Sequence, residues 1–253
     1  MDPLTVAAAA GMRSRMESLD LLAHNLANSS TAGYKADREF LQLYRSAEAT
    51  EGAGGQMPGT LPDIEDNWID FSQGQLRLTG NSTDFALHGE GFFVVDAPGG
   101  PFYTRNGAFR ISPKGVLETA EGYPVRAIRP DRQPGWIETD PADPAPLSQG
   151  ADGKLIQGTR ELGRLEIVNA PRQSVEKRGG NYFQILSPAG SGAGPAPASS
   201  AEVRQGALEA SNSAPAESAV RLVDVMRQFE MLQRALTLGG EMNRKAIEEV
   251  GRV

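Results

Sequence analysis

Few side chains in this sequence could do chemistry, and their spacing argues against most of it. There are two histidines, His24 and His88, and no cysteine. A Ser-His-Asp triad or a metal cluster would rest on a lone histidine, and thiolate nucleophiles, thiolate metal sites and disulfides are excluded outright. Asp63, Glu65 and Asp66 offer close carboxylates of the kind that hydrolyse glycosidic bonds. Such sites need one carboxyl in an apolar pocket that raises its pKa, whereas this stretch is polar and turn-rich, so a solvated loop is the simpler reading. Gly89-Glu90-Gly91 invites a phosphate loop, but Gly-x-Gly without a following helix or lysine is a weak signal, and a tight bend at Gly91 before a buried strand accounts for it. No catalytic residue, cofactor or metal ligand is assigned.

The elements that would have to position any site point elsewhere. The 253 residues carry 25 basic and 32 acidic side chains, a net charge of −7 that disfavours nucleic acid as a partner. Charge is uneven: residues 1–45 hold five acids and five bases, residues 217–253 six and six, and the remaining 46–216 hold 21 acids against 14 bases. Neutral ends favour dense packing of like chains, with the repelling charge kept in the middle. Gly and Pro make up 46 of the 253 residues, which implies many turns.

The N-terminal stretch reads as a helix with an apolar face of Ala9, Met12, Met16, Leu19, Ala23 and Leu26, ending near residue 30 where Asn28, Ser29, Ser30, Thr31 and Gly33 offer stop chemistry. Its Met-Asp-Pro start has no basic leader, and the run Leu4 to Ala10 is too short and too alanine-rich for a cleaved signal or a membrane span. The last helix starts near Pro215 and carries a 4-3 seam of Val225, Phe229, Leu232, Leu236, Gly239, Asn243, Ala246, Val250 and Val253, with Glu/Arg and Glu/Lys pairs on its polar face. Between them lie short strands. Phe92-Phe93-Val94-Val95 and Phe102-Tyr103-Thr104-Arg105 flank a Pro/Gly turn, and Asn106-Gly107 has the composition of a type I′ turn, in which both residues take positive φ.

The expected fold class is therefore α+β. Long N- and C-terminal helices pair as a coiled-coil-like helical domain around a β-rich middle domain. The boundaries are 1–33 for the first helix, 34–70 for a connecting segment, 71–210 for the β-rich domain with a flexible loop at 187–200, and 211–253 for the last helix. The ends are expected to be poorly ordered in a free monomer, leaving a protease-resistant core of roughly 65–210. Met12, Met16, Leu19, Leu26, Val225, Phe229, Leu232, Leu236 and Val250 form the expected assembly interface. Asn25 and Asn28 join them if they fix register as buried polar groups, the plainer alternative being local capping at the helix end.

The residues in these segments resemble the flagellar basal-body rod and hook protein family. The N-terminal signature is Leu22-Ala23-His24-Asn25-Leu26-Ala27-Asn28-Ser29-Ser30-Thr31-Ala32-Gly33-Tyr34-Lys35, with His24 where the family usually has Asn. The middle block is Gly74-Gln75-Leu76, Thr79-Gly80-Asn81, Asp84 to Phe93 and Tyr103-Thr104-Arg105-Asn106-Gly107-Ala108-Phe109. The C-terminal block is Gly206-Ala207-Leu208-Glu209-Ala210-Ser211-Asn212, then Arg227-Gln228-Phe229-Glu230-Met231, with Ser213 where an apolar residue often stands. Short length and Gln228-Phe229-Glu230 look more like the proximal-rod member than the distal-rod or hook subunits. The resemblance implies a non-enzymatic subunit of the rod that crosses the periplasm. It would be exported by the flagellar type III apparatus without a cleaved signal, and would polymerise helically with itself and other rod proteins into a torque-transmitting shaft. A distal-rod or hook-type subunit is the alternative within the family, and a peptidoglycan-acting hydrolase with helical anchors the alternative from another class.

Overall fold

A computed structural model describes residues 3–45, 60–150, 152–186, 195–198 and 201–250. The chain divides into two compact units, one of residues 1–29, 36–71 and 213–253, the other of residues 30–35 and 72–212.

Among its described residues the second unit is built of strands, with one short 3-10 turn at Arg172–Ser174. Its six-stranded antiparallel sheet runs in the order Val175–Gly179, Tyr182–Ile185, Gly100–Thr104, Phe92–Ala97, Ile167–Asn169, Ala196–Pro197. Phe92 to Val95 are all buried, so this strand is covered on both faces and needs no polar alternation. Its hairpin partner follows across Pro98-Gly99, where proline presets φ and Gly99 takes φ +107°. A five-stranded sheet runs Pro134–Trp136, Arg126–Ile128, Arg160–Leu165, Leu155–Gln157, Leu147–Gln149. The core contains Phe85, Leu87, Phe93, Phe109, Val125 and Leu155, with Phe93 and Phe109 packed edge to face at 5.3 Å between centroids. Full burial of a side chain such as Phe93 is worth about 1.5–3 kcal/mol.

Strand Glu202–Gln205 pairs with Phe85–His88 by backbone. Side-chain amides engage it as well: Gln149 Nε2 donates to Val203 O at 2.9 Å, and Gln205 N donates to Gln149 Oε1 at 3.1 Å. On the other side of the core surface, Phe102, Tyr123 and Tyr182 pack together. The Tyr182 hydroxyl donates to Glu121 Oε2. Burial and the neighbouring carboxylate push the Tyr182 phenol well above its ordinary value. Burial works to raise the Glu121 carboxyl, but the hydrogen bonds it accepts outweigh that and hold it below 4.5.

The first unit contains helix α1 (Pro3–Ala27), the antiparallel hairpin Asp37–Arg45 with Thr60–Ile69, and helix α2 (Pro215–Val250). The hairpin runs from Asp37 opposite Ile69 to Arg45 opposite Thr60, with a register shift at Phe40/Leu41. It lies within what the sequence reads as a plain connecting segment, 34–70. Pro215 opens α2 where its missing N–H has no helical partner to lose, and Glu217 lies in the first turn, where a negative charge is favoured.

Two features correct the expectations. The fold is not α+β with long terminal helices paired as a coiled-coil-like domain: the described residues hold 19 strands and only two α-helices, and no long coiled-coil pair forms. A coiled coil needs apolar knobs from both helices. The buried face of α1 is Ser14, Ser18, Leu22 and Asn25, and α1 also packs against the hairpin. Leu232 of α2 does lie over α1, 3.6 Å from where a Cβ on Gly11 would stand, but Val225, Phe229, Leu232 and Leu236 are only half-buried.

The second correction concerns Asn106-Gly107, which is not a type I′ turn, because neither residue takes positive φ. Gly107 is required by crowding instead: a Cβ there would stand 1.7 Å from Phe85 O, and Phe85 N donates to Gly107 O. Asn106 Oδ1 accepts from Ala108 N at 3.0 Å in a local turn. Gly91 has φ +140°, as a sharp bend before Phe92 demands. Residues 187–194 and 199–200 of the expected loop, and the side chains of Asp63, Glu65, Asp66, Val250 and Val253, lie outside the described residues, while Ala196–Pro197 is a strand paired with Val168 and Asn169. Among the described residues no helix is long and apolar enough to cross a membrane.

Candidate functional site

The three signature segments meet on one carboxylate. Strand Ala207–Glu209 alternates Ala207 and Glu209 inward, which carries a charged group to a position with no solvent exposure. A buried carboxylate must be matched by charge and hydrogen bonds. Lys35 Nζ, from the N-terminal signature, donates to Glu209 Oε1 at 2.6 Å and to Ser72 O at 2.7 Å. Gly74 N reaches the same oxygen at 2.9 Å. Arg105 Nη1, from the middle block, donates to Glu209 Oε2 at 3.3 Å, and its Nη2 donates to Gly89 O at 2.8 Å.

Lys35 and Arg105 are themselves buried, so one carboxylate faces two cations in a low dielectric. Burial pushes the Arg105 guanidinium below its ordinary value, and the attraction of Glu209 opposes that shift. The guanidinium also lies 5.6 Å from the Phe92 ring centroid, while its buried Nε has no hydrogen-bond partner among the described residues.

The backbone of residues 30–35 is held by the same neighbours. Gly33 takes φ +69°, and its N–H donates to Glu209 O at 2.7 Å. A Cβ at Gly33 would stand 2.3 Å from Asn106 N, so the segment runs backbone to backbone against the Arg105-Asn106 peptide. Gly33 is thus not the helix stop its sequence position suggests, since α1 already ends at Ala27. Lys177 Nζ donates to Lys35 O at 2.7 Å and sits 4.6 Å from the centroid of the Tyr34 ring, and Asn181 Nδ2 donates to Ala32 O at 2.9 Å. Lys35, Arg105 and Gly74 between them bond both oxygens of the Glu209 carboxylate. Its work is to join segments distant in sequence.

The expected assembly residues are not gathered into this cluster. Met16 is 55% exposed, and Met12, Leu19 and Leu26 are half-buried. At 3.6 residues per turn this face lies roughly 130° around α1 from the buried Ser14–Asn25 face. Asn25 does more than cap: its Nδ2 donates to Asp37 O at 2.7 Å and its Oδ1 accepts from Asp37 N at 3.0 Å, so the amide pairs with the hairpin backbone as a strand would. Asn28 does make the local bond, Nδ2 to His24 O at 2.9 Å. Sequence reasoning missed two things. Lys35, Arg105 and Glu209 stand inside the quoted motifs, but the motifs by themselves assign them no role, although a Glu at an inward strand position is a usable signal. The second is an exposed apolar stripe on α2, where Met231, Leu238 and Met242 are 60%, 61% and 72% exposed.

Comparison with known proteins follows the same segments. Residues 86–157 match the family model described as flagellar hook protein FlgE/F/G D1 domain, and residues 204–249 match flagellar basal body rod FlgEFG protein C-terminal. The chain is 32% identical over 238 residues to the flagellar basal-body rod protein FlgF of Caulobacter vibrioides, covering 93% of this chain and 92% of that one. It is 30% identical over 250 residues to FlgF of Mesorhizobium japonicum, covering 99% and 98%. It is 29% identical over 256 residues to the rod protein FlgG of Buchnera aphidicola subsp. Schizaphis graminum, covering 93% and 95%. Arg105 and Glu209 come from the two separately matched regions, and the relatives align along nearly their whole length: the chain belongs to the flagellar basal-body rod protein family and is a structural subunit of the rod, not an enzyme.

Proposed function

We propose that this subunit is of the proximal-rod type and polymerises helically with itself and other rod proteins into the shaft that transmits torque across the periplasm. Export by the flagellar type III apparatus without a cleaved signal belongs to the same reading. The observation that carries it is the apolar surface left open on the terminal helices, Met16 on α1 and Met231, Leu238 and Met242 on α2. Exposed apolar stripes on otherwise polar helices mark contact surfaces for further chains. Within the family, identity is 32% to the FlgF of Caulobacter vibrioides and 29% to the FlgG of Buchnera aphidicola, each over 93% of the chain, so FlgF is the relative whose type the proposal takes.

The test is Met231→Asp with Leu238→Asp. Both side chains are exposed, so circular dichroism and melting of the purified subunit should match the unaltered protein. Rods recovered in basal-body preparations should lack it, and swimming should be lost. Normal rods containing the double variant would overturn the interface. Complementation of a strain lacking its own FlgF, and failure to complement one lacking FlgG, checks the proximal-rod assignment.

A further inference from the structure

Both tryptophans of the chain are exposed, although so large an aromatic is normally mostly covered. Trp136 ends the strand Pro134–Trp136 at the edge of the five-stranded sheet, and it is held rigidly. Its indole Nε1 donates to Asp96 Oδ2 at 2.7 Å, and Arg126 Nε fixes the other oxygen of Asp96 at 2.7 Å. Trp136 is 40% exposed, and among the described residues no aromatic ring stacks on it and no cation lies over it. Its Nε1 edge is hydrogen-bonded, and two-fifths of the residue stays open to solvent.

A shallow cleft of about 340 Å³ opens beside it, bordered by Arg129, Asp131, Glu138, Arg160 and Glu161. The charges are differently committed. Arg129 Nη2 donates to Glu138 Oε1 at 3.2 Å, and Glu161 is held by Lys154 at 3.0 Å. Arg129 lies across Gly135, where a Cβ would stand 2.2 Å from its Nε, so the glycine is what lets a guanidinium lie flat on the strand next to Trp136. Arg160 is exposed and makes no ion pair among the described residues.

An indole anchored at its edge, partly open to solvent and lining a cleft with paired donors and acceptors, fits the chemistry of a sugar ring, whose C–H face stacks on an aromatic while its hydroxyls bond the Arg129–Glu138 pair. An uncommitted planar guanidinium in the same cleft selects a carboxylate by its two-pronged geometry. We propose that Trp136, Arg129 and Arg160 form a glycan-binding site for an oligosaccharide that carries carboxylates. The site lies wholly within the β unit and does not rest on the assembly reading.

The full chain carrying Trp68→Phe leaves Trp136 as its one indole reporter. Titration with an oligogalacturonate should change its fluorescence saturably, and the fully methyl-esterified oligomer, the same sugar with its carboxylates masked, should bind about tenfold more weakly, a difference of about 1.4 kcal/mol. Arg160→Ala should bring the free acid down to the level of the ester and leave the ester unchanged. Trp136→Ala, followed by calorimetry, should weaken both at least tenfold while circular dichroism stays unaltered. No saturable signal with either sugar overturns the proposal. So does an oligoglutamate peptide that binds as tightly as the uronate, since that reports charge attraction alone, and so does Arg160→Ala without effect on the acid form.

Discussion

At the scale of single residues, the fold depends on groups whose neighbours leave no room for substitution. Glu209 is the sole carboxylate within bonding distance of both Lys35 and Arg105 among the described residues. Glu209→Gln should therefore cost about 3–5 kcal/mol in urea unfolding, the usual penalty for stranding a buried charge, and more than Glu209→Gln with Lys35→Met together, because the second change removes one stranded cation. Gly107→Val should lower the melting temperature sharply, at about 3 kcal/mol or more, because its Cβ falls onto Phe85 O. The type I′ expectation predicts damage at the same residue for a different reason. Gly107→Ala separates the two: alanine tolerates positive φ better than valine does, but it clashes equally with Phe85 O.

Tyr182 and Glu121 set a pH dependence. The folded Glu121 carboxyl titrates below 4.5, so its contribution is fully present above that value and is lost as the pH falls through the lower folded value. Tyr182 is raised above 10.0, so its contribution is present below that value and is lost as the pH rises through the folded one. Tyr182→Phe should flatten both the acid limb and the alkaline limb of the melting temperature against pH.

At the scale of elements, each helix carries more than one face. The Ser14 and Ser18 hydroxyls are buried on α1 without a hydrogen-bond partner among the described residues. Ser14→Ala and Ser18→Ala should each stabilise the subunit, by about 1 kcal/mol in thermal melts, because an unsatisfied buried hydroxyl costs more than the methyl group that replaces it. On α2, Leu232→Ala should destabilise the subunit by about 1–2 kcal/mol, less than a fully buried leucine would, since it is only half-covered. The 4-3 spacing of α2 is legible in the sequence, and the half-covered residues follow it. On α1 the face with Met12, Met16, Leu19 and Leu26 stays half-buried or exposed, while the helix buries the side with Ser14, Ser18, Leu22 and Asn25.

At the scale of the whole molecule, the β unit includes six residues from near the N-terminus. The sequence reading places a protease-resistant core at roughly 65–210, whereas Gly33, Tyr34 and Lys35 are buried with Glu209. A chain of residues 30–212 should unfold cooperatively, and one of residues 72–212 should be less stable by several kcal/mol because Arg105 and Glu209 lose Lys35. Comparison of their urea midpoints and m-values checks this. By itself, the sequence determined the family, the two terminal helices and the short strands between turns, because helical period, turn residues and signature motifs are local properties carried by neighbours in the chain. Only the tertiary structure decided which face of α1 is buried, that the 34–70 segment contains a hairpin, why residue 107 must be glycine, and that Lys35, Arg105 and Glu209 share one site. These depend on atoms brought together across as many as 174 positions of sequence, a separation at which local spacing carries no record of contact.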